Sequence, residues 1–429
     1  MKKVFSKYMF YILCFIPTFL VAGPAIPDII ISLTSLFFIY YSFKNRKYFF
    51  FKNKIFYCYL LFWLIIVLGS LLSENILFSL KNSFLHFRFV LFSFALIYII
   101  ENYKNFLTIF YKATLFTVMV VVFDGFFQSI YKVNILGYAI PSNYRLSGFF
   151  EHEWILGSYL VRILPILMGL FFLCNLKNKL NNFLFLIAVM SLSVLVFLSG
   201  ERSAFFLLIV YFSILIIFLK INNYFKSGVI IFLMIFPILF SLSNNTYKDR
   251  MFKQTLVSLG IAKFIPPSKE NSKPLFECCT FPKYFFSYGH SKHFQTAYEM
   301  FKDKPLLGHG VKSFRLVCHR YEIDWGCSTH PHNTYMQLLA ETGVFGFLLV
   351  LLGFFYFCYL VIKNYIERKK INVDIYNARQ CLLGAFLINL FPIITTGSFF
   401  TNWLSIMYFL PLGILISTYN YSDEFNKKE

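Results

Sequence analysis

Apolar runs of roughly 16–25 residues recur along most of the chain, separated by short segments rich in Lys, Asn and Tyr. Runs of that length suit the hydrocarbon layer of a bilayer and exceed what a soluble core helix needs. Lipid cannot hydrogen-bond an open backbone, so each run is read as a helix. The pattern predicts helices over 8–22, 28–43, 55–72, 84–101, 106–130, 154–174, 182–199, 204–219, 228–243, 334–362, 379–396 and 403–419. The fold class is an all-α polytopic membrane protein with about twelve transmembrane helices. One long polar stretch interrupts it. The organisation is therefore helices one to nine in 1–243, a loop domain over 244–331, and helices ten to twelve with a tail in 332–429. Within the loop, Phe294, Ala297, Tyr298 and Phe301 recur at helical spacing and predict one amphipathic helix near 290–303. The polar stretch Ser268 to Pro274 reads as loop.

Composition agrees. The 429 residues are 58% hydrophobic and only 14% charged, well below the roughly 25% of soluble domains. The formal charge is +20, but the positive residues are dispersed over many short loops, which argues against nucleic acid as a partner. With the N-terminus inside, the inner segments hold nineteen Lys and Arg, among them Lys2, Lys3, Lys44, Arg46, Lys179 and Arg368. The short outer loops hold four, Lys81, Lys132, Arg145 and Arg202. This bias orients the chain and puts the loop domain outside. Met1-Lys2-Lys3 and the run ending Val21-Ala22-Gly23 resemble a signal peptide, but Pro24 and Pro27 disfavour cleavage, so the first helix is read as retained. Outside, Cys278, Cys279, Cys318 and Cys327 allow up to two disulfides, with no pairing preferred beyond the adjacent pair being unfavourable. A zinc site from these cysteines and the loop histidines is a weaker alternative, because no C-x-x-C spacing exists.

The richest chemistry lies where the loop domain enters the tenth helix. His330-Pro331-His332-Asn333-Thr334 precedes a run carrying Gln337, Glu341, Gly343 and Gly346. Asn333, Gln337 and Glu341 are spaced by four and share one helix face, with Asn333 or Thr334 as the cap. Polar groups clustered at a membrane boundary are costly to keep and mark a functional site. His332 is the candidate general base, since a histidine titrates near neutrality. Gly343 and Gly346 read as small residues for close helix packing. Arg202, in a tight turn, Arg145, before the sixth helix, and Arg88, near the outer end of the fourth, are all expected at the depth of His332. A guanidinium is a forked donor for phosphate oxygens, so the three suggest a lipid-linked phosphate or pyrophosphate. Arg162 and Asp124 are expected to form a buried ion pair. Pro305-Leu306-Leu307-Gly308-His309-Gly310 is expected to be a turn closing the amphipathic helix.

Together these residues carry a resemblance. His332-Asn333 followed by Gly343-x-x-Gly346 resembles the signature of the O-antigen ligase and O-antigen polymerase superfamily. Ser199-Gly-Glu-Arg202-Ser-Ala204, Arg145-Leu-Ser-Gly148-Phe-Phe150 and Pro305-x-x-Gly308-x-Gly310 resemble its arginine turn, its second arginine stretch and the lead into its outer loop. The resemblance spans roughly residues 80–420. It implies a metal-independent glycosyltransferase of the bacterial inner membrane, acting on the periplasmic face. The implied donor is an undecaprenyl-pyrophosphate-linked glycan, and the implied acceptor of a ligase is lipid A–core. No cofactor is implied. One dominant loop favours ligase over polymerase. Arg145 and Arg202 would hold pyrophosphate and His332 would take the proton. Arg88, His330, Asn333, Gln337 and Glu341 would bind substrate. A lipid-glycan transporter or flippase is the rival from another class, disfavoured because the polar residues gather at one face, not at the midplane.

Overall fold

The computed structural model describes residues 9–46, 48, 52–140, 145–174, 178–258 and 288–426. Among these, each of the twelve expected apolar segments contains helix. The membrane helices are α1 (Ile16–Ala22), α2 (Ala25–Lys44), α3 (Lys54–Leu71), α4 (Ile76–His86), α5 (Arg88–Asn102), α6 (Phe106–Tyr131), α7 (Leu156–Cys174), α8 (Lys179–Leu198), α9 (Arg202–Phe218) and α10 (Asn223–Ser243). After the loop domain's α11 (Tyr288–Asp303) come α12 (Thr334–Ile366), α13 (Val373–Asn389) and α14 (Asn402–Asn426). Eight spans among the described residues are long and apolar enough to cross a membrane on their own. The chain is a polytopic membrane protein without a β-sheet among the described residues.

The centre is α5, α7 and α13 with α14 packed across them. These helices are buried on most sides, and α13 carries Asn377, Arg379 and Gln380 into the interior with hydrogen-bond partners there. The periphery keeps large apolar side chains exposed, such as Leu36, Phe116, Phe123 and Phe355. In lipid these cost nothing.

Several expectations are corrected. The helix expected over 84–101 is longer, starting at Ile76 and jogging at Phe87 between α4 and α5. The helix expected over 379–396 runs Val373–Asn389, and residues 390–401 are irregular. Pro392 has no amide hydrogen to continue the helix. Arg162 and Asp124 do not pair. Asp124 accepts the Ile135 amide at 2.9 Å, while Arg162 donates to its own helix at Ser158 O, 3.1 Å away. Each finds a local partner instead, although Asp124 Oδ2 and Arg162 Nε are buried without one among the described residues. The amphipathic helix forms, but it buries Phe294, Ala297 and Met300 and leaves Tyr298 exposed. Its core includes Ala340 of α12, so the loop domain does not end cleanly at residue 331. Cys278, Cys279, Asn143, Tyr144, Lys2, Lys3 and the Ser268–Pro274 stretch lie outside the described residues.

The central device is a break in α12. Gly343 has φ 62° and ψ −166°, a region essentially closed to other residues. The break frees backbone groups, and the 305–310 segment takes them. His309 N donates to Ala340 O at 3.0 Å, Gly310 N to Glu341 O at 2.9 Å, and Val344 N to Pro305 O at 2.8 Å. A Cβ on Gly343 would stand 2.3 Å from the Leu306 carbonyl, and one on Gly308 2.4 Å from Glu341 backbone. Gly343 is therefore a docking point for the loop, not merely a small residue in a packed helix. Gly343→Ala is expected to cost about 1–3 kcal/mol from backbone conformation alone, lowering Tm in detergent. Gly353→Ala, in the same helix with open space around its Cβ, should leave Tm unchanged. Equal Tm values for the two variants would reject this account of the break.

Candidate functional site

The polar face expected on the tenth helix forms, and it points inward. Asn333 caps α12, with Oδ1 accepting the Tyr335 and Met336 amides at 2.9 and 3.0 Å. Its Nδ2 donates to Pro392 O at 2.8 Å and Ile394 O at 2.9 Å. Gln337 donates to Ser398 Oγ at 2.8 Å and to Glu341 Oε2 at 2.9 Å, and accepts the Phe399 amide at 2.8 Å. Glu341 accepts the Lys312 amide at 2.9 Å and the Phe314 amide at 3.1 Å. All three side chains are buried. They fasten the irregular 390–401 segment and the 312–314 turn to the start of α12. Their hydrogen bonds run to other parts of the protein and position what surrounds them.

His332 sits on top of this framework, at φ 58°, an unusual conformation for a side-chain-bearing residue. Its carbonyl accepts the Thr396 amide at 2.9 Å. Around its ring stand three others, with centroids at 4.1 Å (His330), 5.2 Å (His290) and 5.3 Å (His293). His330 donates through Nε2 to Thr396 O at 3.2 Å, and its Nδ1 meets Thr329 Oγ1 at 3.0 Å. His290 and His293 come from consecutive turns of α11. Burial lowers the pKa of His332 to about 4, with the field of His293 adding to it. Burial, then neighbouring histidines, likewise lower His290 to about 4 and His330 to about 3. The cluster is neutral at neutral pH. His332 Nε2 meets Ser328 Oγ at 3.1 Å, and Nδ1 has no hydrogen-bond partner among the described residues.

The arginines divide. Arg145, Arg202 and a third, Arg250, lie within one another's electrostatic reach. Arg202 also bears on His290, which links this group to the histidines. Arg145 stacks on Trp154, its guanidinium carbon 4.4 Å from the ring centroid. Arg250 donates to Gly200 O at 3.2 Å and to Gln254 Oε1 at 2.7 Å, so it is tied to the arginine turn itself. Glu201 holds that turn in place. Its carboxylate caps the start of α7, accepting Gly157 N at 2.7 Å, Ser158 N at 3.2 Å and Ser158 Oγ at 2.7 Å. Burial raises its pKa, and Ser158 and Arg145 oppose the rise. Neither Arg250 nor the role of Glu201 was read from the sequence. Arg250 follows a helix in a loop with no flanking motif, and only its proximity to Arg145 and Arg202 marks it.

Arg88 is tied to Asp28, with Nη2 at 2.5 Å and Nε at 3.0 Å, and to Asn402 Oδ1 at 3.2 Å. Its charge is compensated within the bundle. A double-mutant cycle on Arg88→Gln and Asp28→Asn should show a coupling of about 0.5–3 kcal/mol in stability. Additive single effects would mean the pair does not form.

Cys318 and Cys327 form a disulfide across the short excursion that presents Gly326 and Ser328 to the histidines. The two sulfurs are thereby withdrawn from any metal. His309 is buried beneath, donating through Nε2 to Met300 O at 3.0 Å, and ties α11 to the 305–310 segment.

The arrangement thus offers a neutral histidine cluster, and a set of three guanidinium groups linked to it through the field of Arg202 at His290. No curated protein matches the chain. The family model described as O-Antigen ligase matches residues 183–351, the stretch that contains the arginine turn, Arg250, the histidine cluster and the broken helix. Over that stretch the chain is similar to the O-antigen ligase family.

Proposed function

We propose that this protein is an O-antigen ligase: an inverting glycosyltransferase that moves a glycan from an undecaprenyl-pyrophosphate carrier onto lipid A–core, at the periplasmic face of the inner membrane. The observation that carries the reading is the histidine cluster around an unprotonated His332, which the Arg145–Arg202–Arg250 group reaches through the field of Arg202 at His290. Catalysis of this transfer requires a base for the attacking hydroxyl and positive charge for the departing pyrophosphate.

In this mechanism Ser328 accepts from Nε2–H and thereby selects the tautomer with the lone pair on Nδ1. That nitrogen takes the proton of the acceptor hydroxyl as its oxygen attacks the anomeric carbon. The bond from that carbon to the pyrophosphate oxygen breaks, and its electron pair leaves with the pyrophosphate. The three guanidinium groups stabilise the charge that develops there. Attack opposite the leaving group inverts the anomeric configuration. His330, Asn333, Gln337 and Glu341 act as positioning residues: they hold His332 and the 390–401 segment, as their hydrogen bonds to the protein suggest. Arg88 is left out of substrate binding. The ligase reading over polymerase rests on the single dominant loop.

The test is in cells lacking the native copy. His332→Ala and Arg202→Ala should each abolish surface glycan on lipid A–core while long carrier-linked polymer accumulates. Arg250→Gln should weaken transfer about 10–100-fold, the effect of one lost charge-assisted contact. Single repeats on lipid A–core would identify a polymerase instead. Unchanged glycan in well-expressed variants would remove His332 and the arginines from the chemistry.

The histidine environment sets the pH response. A base must be neutral, and the His332 pKa is depressed to about 4. Transfer by the purified enzyme should therefore stay level as pH falls from 8 to about 5.5 and drop only near 4. An acid limb near 6.5, the ordinary histidine value, would contradict the buried, neutral state of the cluster.

A further inference from the structure

Ile323 to Gly326 form a tight turn in the outer domain, closed by the Gly326 amide donating to Ile323 O at 2.7 Å. Trp325 holds the third position of that turn at φ 60°, in the left-handed region that such a turn reserves for glycine or asparagine. Its side chain is 77% exposed. The other three tryptophans are engaged: Trp63 and Trp403 pack against the main core, and Trp154 underlies Arg145. A large apolar ring shown to water, at a position that strains its own backbone, points to a function for the ring.

The turn is fixed from several sides. The Cys318–Cys327 disulfide closes two residues after Trp325. Gly326 is pressed onto α11, where a Cβ would stand 2.3 Å from Thr296 Oγ1. His293 bonds the Gly326 backbone, and its ring centroid is 5.3 Å from that of His332. Ser328, three residues beyond Trp325, meets His332 Nε2 at 3.1 Å. Three residues span at most about 10 Å, so the indole stands within a few sugars' length of the proposed base. The exposed side chains of Glu322 and Asp324 flank it. Carboxylates are costly to carry into lipid, which argues against a membrane anchor. They are ready acceptors for hydroxyl groups.

We propose that Trp325 is a sugar platform: its indole face stacks on the C–H face of a pyranose ring held near His332, and Glu322 and Asp324 accept that sugar's hydroxyls. The sugar belongs to the transferred glycan or to the acceptor. The proposal rests on the reading above that the protein transfers a glycan. Stacking withdraws apolar surface of both rings from water and leaves the hydroxyls at the rim free to hydrogen-bond. A ring already fixed by its turn and disulfide loses little freedom on binding. Trp325 is a specificity-determining residue, set apart from the reacting atoms, so it governs affinity and sugar choice and not the chemical step.

The test titrates the full chain in detergent with polysaccharide freed by mild acid from the cell's own lipopolysaccharide, following tryptophan emission. Wild-type emission should change, and Trp325→Phe should lose most of that change while binding within about threefold of wild type. Trp325→Ala should bind about tenfold more weakly, the worth of roughly 55 Å² of apolar surface. Core oligosaccharide from cells lacking the protein separates the two sources: equal affinity assigns the ring to the acceptor, weaker affinity to the transferred glycan. In turnover, Trp325→Ala should raise KM about tenfold and hold kcat within about twofold. Unchanged polysaccharide affinity in Trp325→Ala, or a fall in kcat at constant KM, overturns the proposal. So does quenching of the Trp325-dependent emission by brominated phosphatidylcholine in nanodiscs, which would place the ring in lipid. If the wild-type protein transfers no glycan, the glycosyltransferase reading fails, and the titration still decides what the ring binds.

Discussion

The Glu341 carboxylate is the tie on which the rest of the site depends. It is buried two residues before the α12 break at Gly343, accepts two loop amides at 2.9 and 3.1 Å, and takes a third bond from Gln337. An unpaired carboxylate at that depth would be strongly unfavourable, so its partners are held as firmly as it is. Through Gln337 the same network reaches Ser398 and Phe399, and through Asn333 the cap of the helix. Three segments distant in sequence are thereby fixed around one helix start, and His332 stands at the point they share.

The break at Gly343 makes that tie possible. An unbroken helix would satisfy its own carbonyls at 340 and 341. Because the chain turns aside, those carbonyls accept the His309 and Gly310 amides instead. The outer domain thus docks by backbone hydrogen bonds, which impose a register, and not only by apolar contact, which does not. Its small core around Phe294, Ala297, Met300 and Phe314 closes over Ala340 as a consequence. The histidines of α11 are delivered to His332 by this docking.

The electrostatics are divided in the same economical way. Arg88 and Arg379 are satisfied inside the bundle, by Asp28 and by Thr418 with Tyr419. Arg145, Arg202 and Arg250 instead gather within one another's electrostatic reach near Glu201, whose carboxylate is engaged with the start of α7. Concentrated positive charge whose field reaches a neutral histidine cluster suits an anion that arrives and leaves.

The membrane class, the existence of twelve apolar helices, their approximate places and the polar face of α12 were legible in the sequence, because period, length and charge bias are local properties. So were Arg145, Arg202 and His332 as candidates. Only the tertiary structure decided which polar residues meet. Arg88 and Arg202 look alike in the sequence, yet one finds Asp28 and the other does not sit with it. Arg250, Glu201 and the His290–His293 contribution depend on contacts between residues up to a hundred positions apart, and no periodicity records them. The role of Gly343 is the clearest case: its spacing to Gly346 fits a packed helix, whereas its φ of 62° is imposed by a loop that arrives from elsewhere in the chain.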